Sequence, residues 1–359
     1  MTAWRTAVRR HSRKAMHWAI VGAALGYLAW RIPGFVGEVA GSGTQLAQLR
    51  WGWLGLAVGC SVAALGVYGE LHRQLLLVGG ARLSVPTVQG INIVENAVSS
   101  TVPVVGGAGA LAYAIDQLRR RNVDAALASW SVLVAGLVDM ITLVALGALA
   151  LGLAHRVPLP AGLLAALLVV LVACGGWGVL THPAVLRRGL HGLLEAAGRI
   201  PLGCPTCRSR RSQRLEQSAA RLATRLALLR PGIRWLGLFG LAVVSWLLDY
   251  VTLTAVIVAV GPAVPWAVAA VGFLVVQASI ALQVLPGGAG LAETGLLGVL
   301  VTAGVAPGPA AASVLVYRAI SWLGLSLLGW AIYGVWIHTS PGRHHRHVAD
   351  LSAPQPSAD

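Results

Sequence analysis

Five charged side chains stand inside apolar surroundings, where a charge must earn its place. Glu95, with Asn96 beside it, precedes Pro103, and Glu293 follows Pro286. Asp139 lies near the middle of a 30-residue apolar run, Asp249 lies within another, and Arg318, next to Tyr317, sits near the start of the last run. Charges at membrane depth are costly and usually face a cavity or a partner. Arg318 has the planar donor fork that suits the oxygens of a lipid phosphate; the competing reading is a structural ion pair with Asp249, Glu293 or Asp139. Glu95 and Glu293 occupy comparable, although not identical, positions around two breaks in the apolar pattern. There a carboxylate either exchanges a proton as access alternates, because desolvation favours its protonated form, or hydrogen-bonds a broken helix. Asp249 could equally serve helix assembly.

The breaks are rich in glycine. Val105, Gly106, Gly107, Ala108 and Gly109 are echoed by Pro286, Gly287, Gly288, Ala289 and Gly290 at a spacing of 181 residues. Downstream, Ser131 to Val134 resembles Ser313 to Val316. Two copies of one unit are expected, the alternative being that Gly-Gly-Ala-Gly only marks close helix packing. Pro103 with Gly106, Gly107 and Gly109, and Pro286 to Gly290, suit turns that re-enter the membrane, where freed helix-end N–H groups would favour an anion such as phosphate. Neither run is a nucleotide-binding loop, since no Lys-Ser or Lys-Thr pair follows.

The elements that must position these groups are membrane helices. The chain has 359 residues, 57% hydrophobic and only 11% charged, with a mean hydropathy of +0.74, which excludes an ordinary soluble domain at about 25% charged. Six apolar stretches, Ala15 to Ile32, Trp51 to Tyr68, Ala125 to Ala154, Leu159 to Leu180, Trp235 to Val260 and Ala312 to Ile337, can each cross about 30 Å of hydrocarbon as a helix. Val85 to Ile115 and Val264 to Val305 are apolar but broken by proline and glycine.

Charge placement orients the spans. If both broken regions return to the side they came from, 23 of the 27 Lys and Arg residues lie on one face, and only Arg31, Arg50 and Arg156 on the other. That split follows the positive-inside rule. The expected fold is an all-α integral membrane protein, an inverted-topology repeat with six full spans and two re-entrant helical hairpins. Its parts are a basic cytoplasmic N-terminus (1–14), a first membrane half (15–180), a basic cytoplasmic loop (181–234), a second membrane half (235–337) and a disordered cytoplasmic tail (338–359). Met1 to Ile32 lacks a small-residue cleavage site and reads as an uncleaved first helix.

The formal charge of +15 would permit a nucleic-acid partner, but bases confined to short stretches between apolar runs fit anionic lipid better. Leu215, Ala219, Leu222, Leu226 and Leu229 recur at helical spacing, with Arg214, Arg221 and Arg225 elsewhere around the helix. Residues 187–234 thus read as an amphipathic segment on anionic lipids of the inner leaflet. Cys204 and Cys207 form Cys-Pro-Thr-Cys, half of a zinc site or a redox pair without further ligands, and no metal or cofactor is expected. His344, His345 and His347 belong to the polar tail, and Cys60 and Cys174 read as small buried apolar groups.

Two stretches resemble one family. Asn92 to Val134, with Asn96, Pro103, Gly106, Gly107, Gly109 and the later Asp139, looks like the first signature of the bacterial lysylphosphatidylglycerol synthase transmembrane region, or flippase-like, proteins. Leu285 to Gly329, with Pro286, Gly287, Gly288, Gly290, Glu293, Gly304, Val305, Tyr317 and Arg318, looks like the second. The resemblance covers residues 15–337 and implies an inner-membrane protein with an inverted-repeat fold, similar to the translocating half of aminoacyl-phosphatidylglycerol synthases. The chain ends 22 residues after its last span, so no aminoacyltransferase domain is expected.

The leading expectation is movement of an anionic phospholipid or lipid-linked saccharide between leaflets. Transport of a small soluble solute is the runner-up, followed by a structural or regulatory membrane partner; a homo-oligomer is left open. No His-rich metal set or nucleophile-base constellation points to an enzyme.

Overall fold

The computed structural model describes residues 49–102, 106–155, 157–180, 233–282 and 285–339, together with the isolated positions 22 and 26. The expected first span, Pro103, nearly all of the basic loop with its amphipathic segment and Cys204 and Cys207, and the polar tail lie outside the described residues.

Among the described residues every element is helical. Helix α1 runs Trp51–Val78, α2 Val85–Thr101, α3 Gly106–Arg119, α4 Ala125–Leu153 and α5 Leu159–Leu180. After the loop come α6 Ile233–Val260, α7 Trp266–Ala281, a 3₁₀ turn Pro286–Gly288, α8 Leu291–Thr302 and α9 Pro307–Arg318. A π-helical turn Ala319–Gly324 then leads into α10 Leu325–Thr339. Four stretches are long and apolar enough to cross a membrane: Trp51–Val78, Ala125–Leu153, Trp235–Val260 and Pro307–Val335. Helix α5 is apolar throughout, and Leu163, Leu164, Leu167, Leu168, Leu171 and Val172 along it are exposed, which only an apolar solvent tolerates.

Two boundaries differ from the sequence reading. The first described helix continues past Tyr68 to Val78, because its polar turn satisfies itself: Arg73 Nε donates to Glu70 Oε2 and Gln74 Nε2 to Glu70 Oε1, both at 2.6 Å, at the three- and four-residue spacings that face each other on a helix. Leu71, Leu75 and Leu76 bury the other face. The last long helical stretch starts at Pro307 rather than Ala312, so Arg318 stands near its middle instead of near its start.

The order long, short, break, short, long occurs twice: α1 to α4, then α6 to α9 with its continuation. Helices α1 and α6 pack together antiparallel. The Arg50 N–H donates to the Ala259 carbonyl at 3.0 Å, Ser245 Oγ to the Ala64 carbonyl at 3.0 Å and Thr252 Oγ1 to the Ala57 carbonyl at 3.3 Å. Ser245 and Ala64 are 181 positions apart, the interval between the glycine runs.

Core packing places the ends of the short pairs. Leu76 and Val88 share a cluster with Leu118, Val123 and Leu127, so α2 begins and α3 finishes beside the C-terminal end of α1. Ala57 and Val256 share another with Ala269, Leu300, Val305 and Ala310, against which Val260 and Val264 pack. That cluster puts the open ends of α7 and α8 beside the N-terminal end of α1.

Candidate functional site

The second break is built by glycine. Pro286 opens the 3₁₀ turn, and Gly287, Gly288 and Gly290 have φ of +60°, +68° and +85°, a region that side chains resist. Gly287 must also be bare: a Cβ there would run into the Trp322 indole and stand 3.1 Å from the Ser100 carbonyl.

The turn aims a charge. Arg318 is 2% exposed; its Nε donates to Glu293 Oε1 at 2.9 Å and its Nη2 to the Gly287 carbonyl at 2.6 Å. Its guanidinium lies 5.3 Å from the centre of the Trp322 ring, where the π face attracts a cation. Glu293 reaches both ways, since its Oε2 accepts the Gly290 N–H at 2.5 Å and so caps α8. One carboxylate therefore fills two anion seats, the N-terminus of α8 and the guanidinium, which realises the ion-pair reading of Arg318. A helix end expected to await a phosphate already holds an internal anion.

The first break reaches the same place. Trp322 Nε1 donates to the Ser100 carbonyl at 3.1 Å, Trp330 Nε1 to Thr101 Oγ1 at 3.1 Å, and the Ser100 and Ser326 hydroxyls are 3.0 Å apart. Ser100 and Thr101 end α2, whose last carbonyls lack helical N–H donors. Its glycines differ from those of the second half, however. Gly106, Gly107 and Gly109 lie inside α3 without positive φ. Gly106 is required by proximity, as a Cβ there would stand 2.5 Å from the Ser99 carbonyl.

The other predicted residues form a second polar group. Asp249 Oδ2 accepts from Gln277 Nε2 at 2.8 Å, and Trp246 Nε1 donates to the Asp139 carbonyl at 3.0 Å. Asp139 and Asp249 lie within electrostatic range of each other, as do Asp249 and Tyr317. Tyr317 is 1% exposed in the core around Phe273, Leu296 and Leu300. Glu95 interacts with Tyr68 across the α1–α2 seam, and neither its carboxylate nor the Asn96 amide makes a hydrogen bond among the described residues. Glu95 and Glu293 are not matched, because one lies on the helix before its break and the other on the helix after.

Sequence reasoning missed Trp322, Ser100, Ser326, Gln277 and the buried trio His72, Asn92 and Ser131. In that trio His72 Nδ1 meets Asn92 Oδ1 at 2.9 Å and His72 Nε2 meets Ser131 Oγ at 3.2 Å. A usable signal existed for Trp322, four residues after Arg318 and hence on the same helix face. No cluster of three His, Cys, Asp or Glu residues suited to a metal occurs among the described residues.

A family model described as the lysylphosphatidylglycerol synthase TM region matches residues 18–329. No curated protein matches the chain.

Proposed function

We propose, from the premise that this multi-pass membrane chain belongs to the lysylphosphatidylglycerol synthase TM region family, that it moves an anionic phospholipid or lipid-linked saccharide between leaflets by alternating access. The observation that carries this reading is the pair of buried Arg318 with partly buried Glu293, the arginine set near the middle of a helical stretch and against a glycine turn. A lipid phosphate entering the site offers Arg318 the same oxygen chemistry as Glu293. It therefore competes with the internal carboxylate, and binding releases Glu293 from the guanidinium. A site that must exchange an internal anion for a substrate anion couples occupancy to conformation.

The packing supports the accompanying topology, in which α2 with α3 and α7 with α8 are re-entrant pairs from opposite faces of a six-span inverted repeat. The open ends of the two pairs lie beside opposite ends of α1. An antiparallel contact between positions 181 residues apart is what an axis in the membrane plane would produce. In this reading both termini and the basic loop face the cytoplasm, and the loop gathers anionic lipids. The chain acts as a carrier in the cytoplasmic membrane rather than as an enzyme.

The test is a leaflet-resolved assay with fluorescent anionic lipids in vesicles holding the purified protein. Wild type is expected to exchange label faster than empty vesicles, and Arg318→Ala and Glu293→Gln more slowly than wild type. Equal rates with and without protein, across several headgroups and with a proton gradient, would sink the proposal.

A further inference from the structure

We infer that Trp322 is a positioning residue that ties the state of the Arg318–Glu293 pair to the first break, making the seam between α2 and the π-helical turn with α10 a gate that parts when an anionic headgroup takes Arg318. This rests on the lipid-moving reading above.

Trp322 is 5% exposed and serves two partners at once. Its ring face lies 5.3 Å from the Arg318 guanidinium carbon, and its N–H is given to the Ser100 carbonyl at 3.1 Å. The cation belongs to the second half, whereas the carbonyl ends the last turn of α2 in the first half. Trp322 is thus a single rigid body between the charge that an anion would move and the helix end that must shift if access changes. Gly287 completes the joint, because its missing side chain leaves room for the indole and the Ser100 carbonyl together.

The rest of the seam is held by separable polar contacts. Ser100 and Ser326 meet through hydroxyls at 3.0 Å, and Trp330 donates to Thr101 at 3.1 Å. Packing alongside is close, since a Cβ on Gly329 would run into the Ala97 side chain and stand 2.6 Å from the Ile93 carbonyl. The π-helical turn Ala319–Gly324 sets the phase of Trp322 and Ser326, and such turns recur at functional positions within helices.

A cation–π contact needs the cation over the ring. When a phosphate draws Arg318 aside, the indole loses that contact, and what keeps the seam shut is the Ser100 and Thr101 hydrogen bonds. The seam should therefore open more readily in anionic lipid than in zwitterionic lipid.

The experiment uses the full chain with its four native cysteines changed to serine and with Ser100→Cys and Ser326→Cys, reconstituted in vesicles of phosphatidylcholine with or without phosphatidylglycerol. Hydroxyls at 3.0 Å put the replacing sulfurs within reach of a disulfide. Two results are expected: oxidation lowers lipid exchange at least tenfold and reduction restores it, and phosphatidylglycerol slows cross-linking severalfold. Adding Trp322→Phe, which keeps a ring but removes the N–H donor, is expected to abolish that lipid dependence while the protein still cross-links. A cross-linked protein that exchanges lipid at the reduced-state rate, or equal cross-linking in both lipids, would overturn the gate. If no form exchanges lipid yet phosphatidylglycerol still slows cross-linking, the coupling stands and the transport reading fails instead.

Discussion

Ser245 gives its hydroxyl proton to the carbonyl of Ala64 at 3.0 Å, and the two residues are separated by 181 positions. Helix α1 therefore touches α6 near the place where each meets its own counterpart. A self-matched antiparallel contact of this kind is what the proposed two-fold relation between halves would produce, and it sits at the most extensive helix seam among the described residues.

Impermeant thiol labelling of single cysteines tests the orientation. Cysteine at Arg82 and at Arg120 should react from one side of sealed vesicles, and cysteine at Arg156 from the other. Reaction of Arg82→Cys and Arg120→Cys from opposite sides would mean that α2 and α3 together cross the bilayer.

Arg318→Ala should lower thermal stability as well as lipid exchange. It leaves the Glu293 carboxylate, 21% exposed, without its cation but still on the Gly290 N–H, so the cost falls below that of breaking a fully buried pair, about 3–5 kcal/mol. Arg318→Lys should recover part of the stability and little of the exchange, because a point charge cannot reach Glu293 and the Gly287 carbonyl with one fork. Detergent melting curves read against exchange rates separate the two effects.

Glu293→Gln removes the internal competitor while keeping an acceptor near Gly290. The expected result is tighter retention of an anionic lipid, read by native mass spectrometry, alongside slower exchange. Weaker retention would mean that Glu293 helps to hold the substrate instead of competing with it.

Two glycines of one turn should tolerate alanine differently. Gly287→Ala strains a φ of +60° and collides with Trp322 and the Ser100 carbonyl, whereas Gly290→Ala strains a φ of +85° with no atom within 4 Å. The second should cost about 1–2 kcal/mol and the first clearly more, measured as the shift in melting temperature. Equal shifts would remove the steric role assigned to the Trp322 approach.

The long helices were legible because twenty or so apolar residues in a row have few other uses. Arg318, Glu293 and the Pro286–Gly290 turn were legible because charge and glycine are conspicuous in such runs. The ten residues from Gly69 to Val78 were not, since the apolar pattern lapses there while Glu70, Arg73 and Gln74 hold the helix by pairing among themselves. The glycine runs looked alike, yet only the second adopts left-handed backbone, because conformation depends on where a helix starts and not on composition. Ser100, Ser326 and Gln277 gave no signal: a lone hydroxyl or amide in an apolar helix is ordinary, and only a partner from a distant segment gives it meaning.

The π-helical turn from Ala319 to Gly324 has a consequence for chain length. A helix advances about 100° of rotation per residue, and a widened turn of this kind accommodates roughly one residue beyond regular α-helical winding. Deleting a single residue there would let the segment relax into ordinary winding with Ser326 and Trp330 still facing α2, whereas ordinary winding of all six residues would swing both by about 100° around the cylinder. A deletion beyond Gly324 has no such reserve: the final helix would survive with its hydrophobicity intact but facing the wrong neighbour.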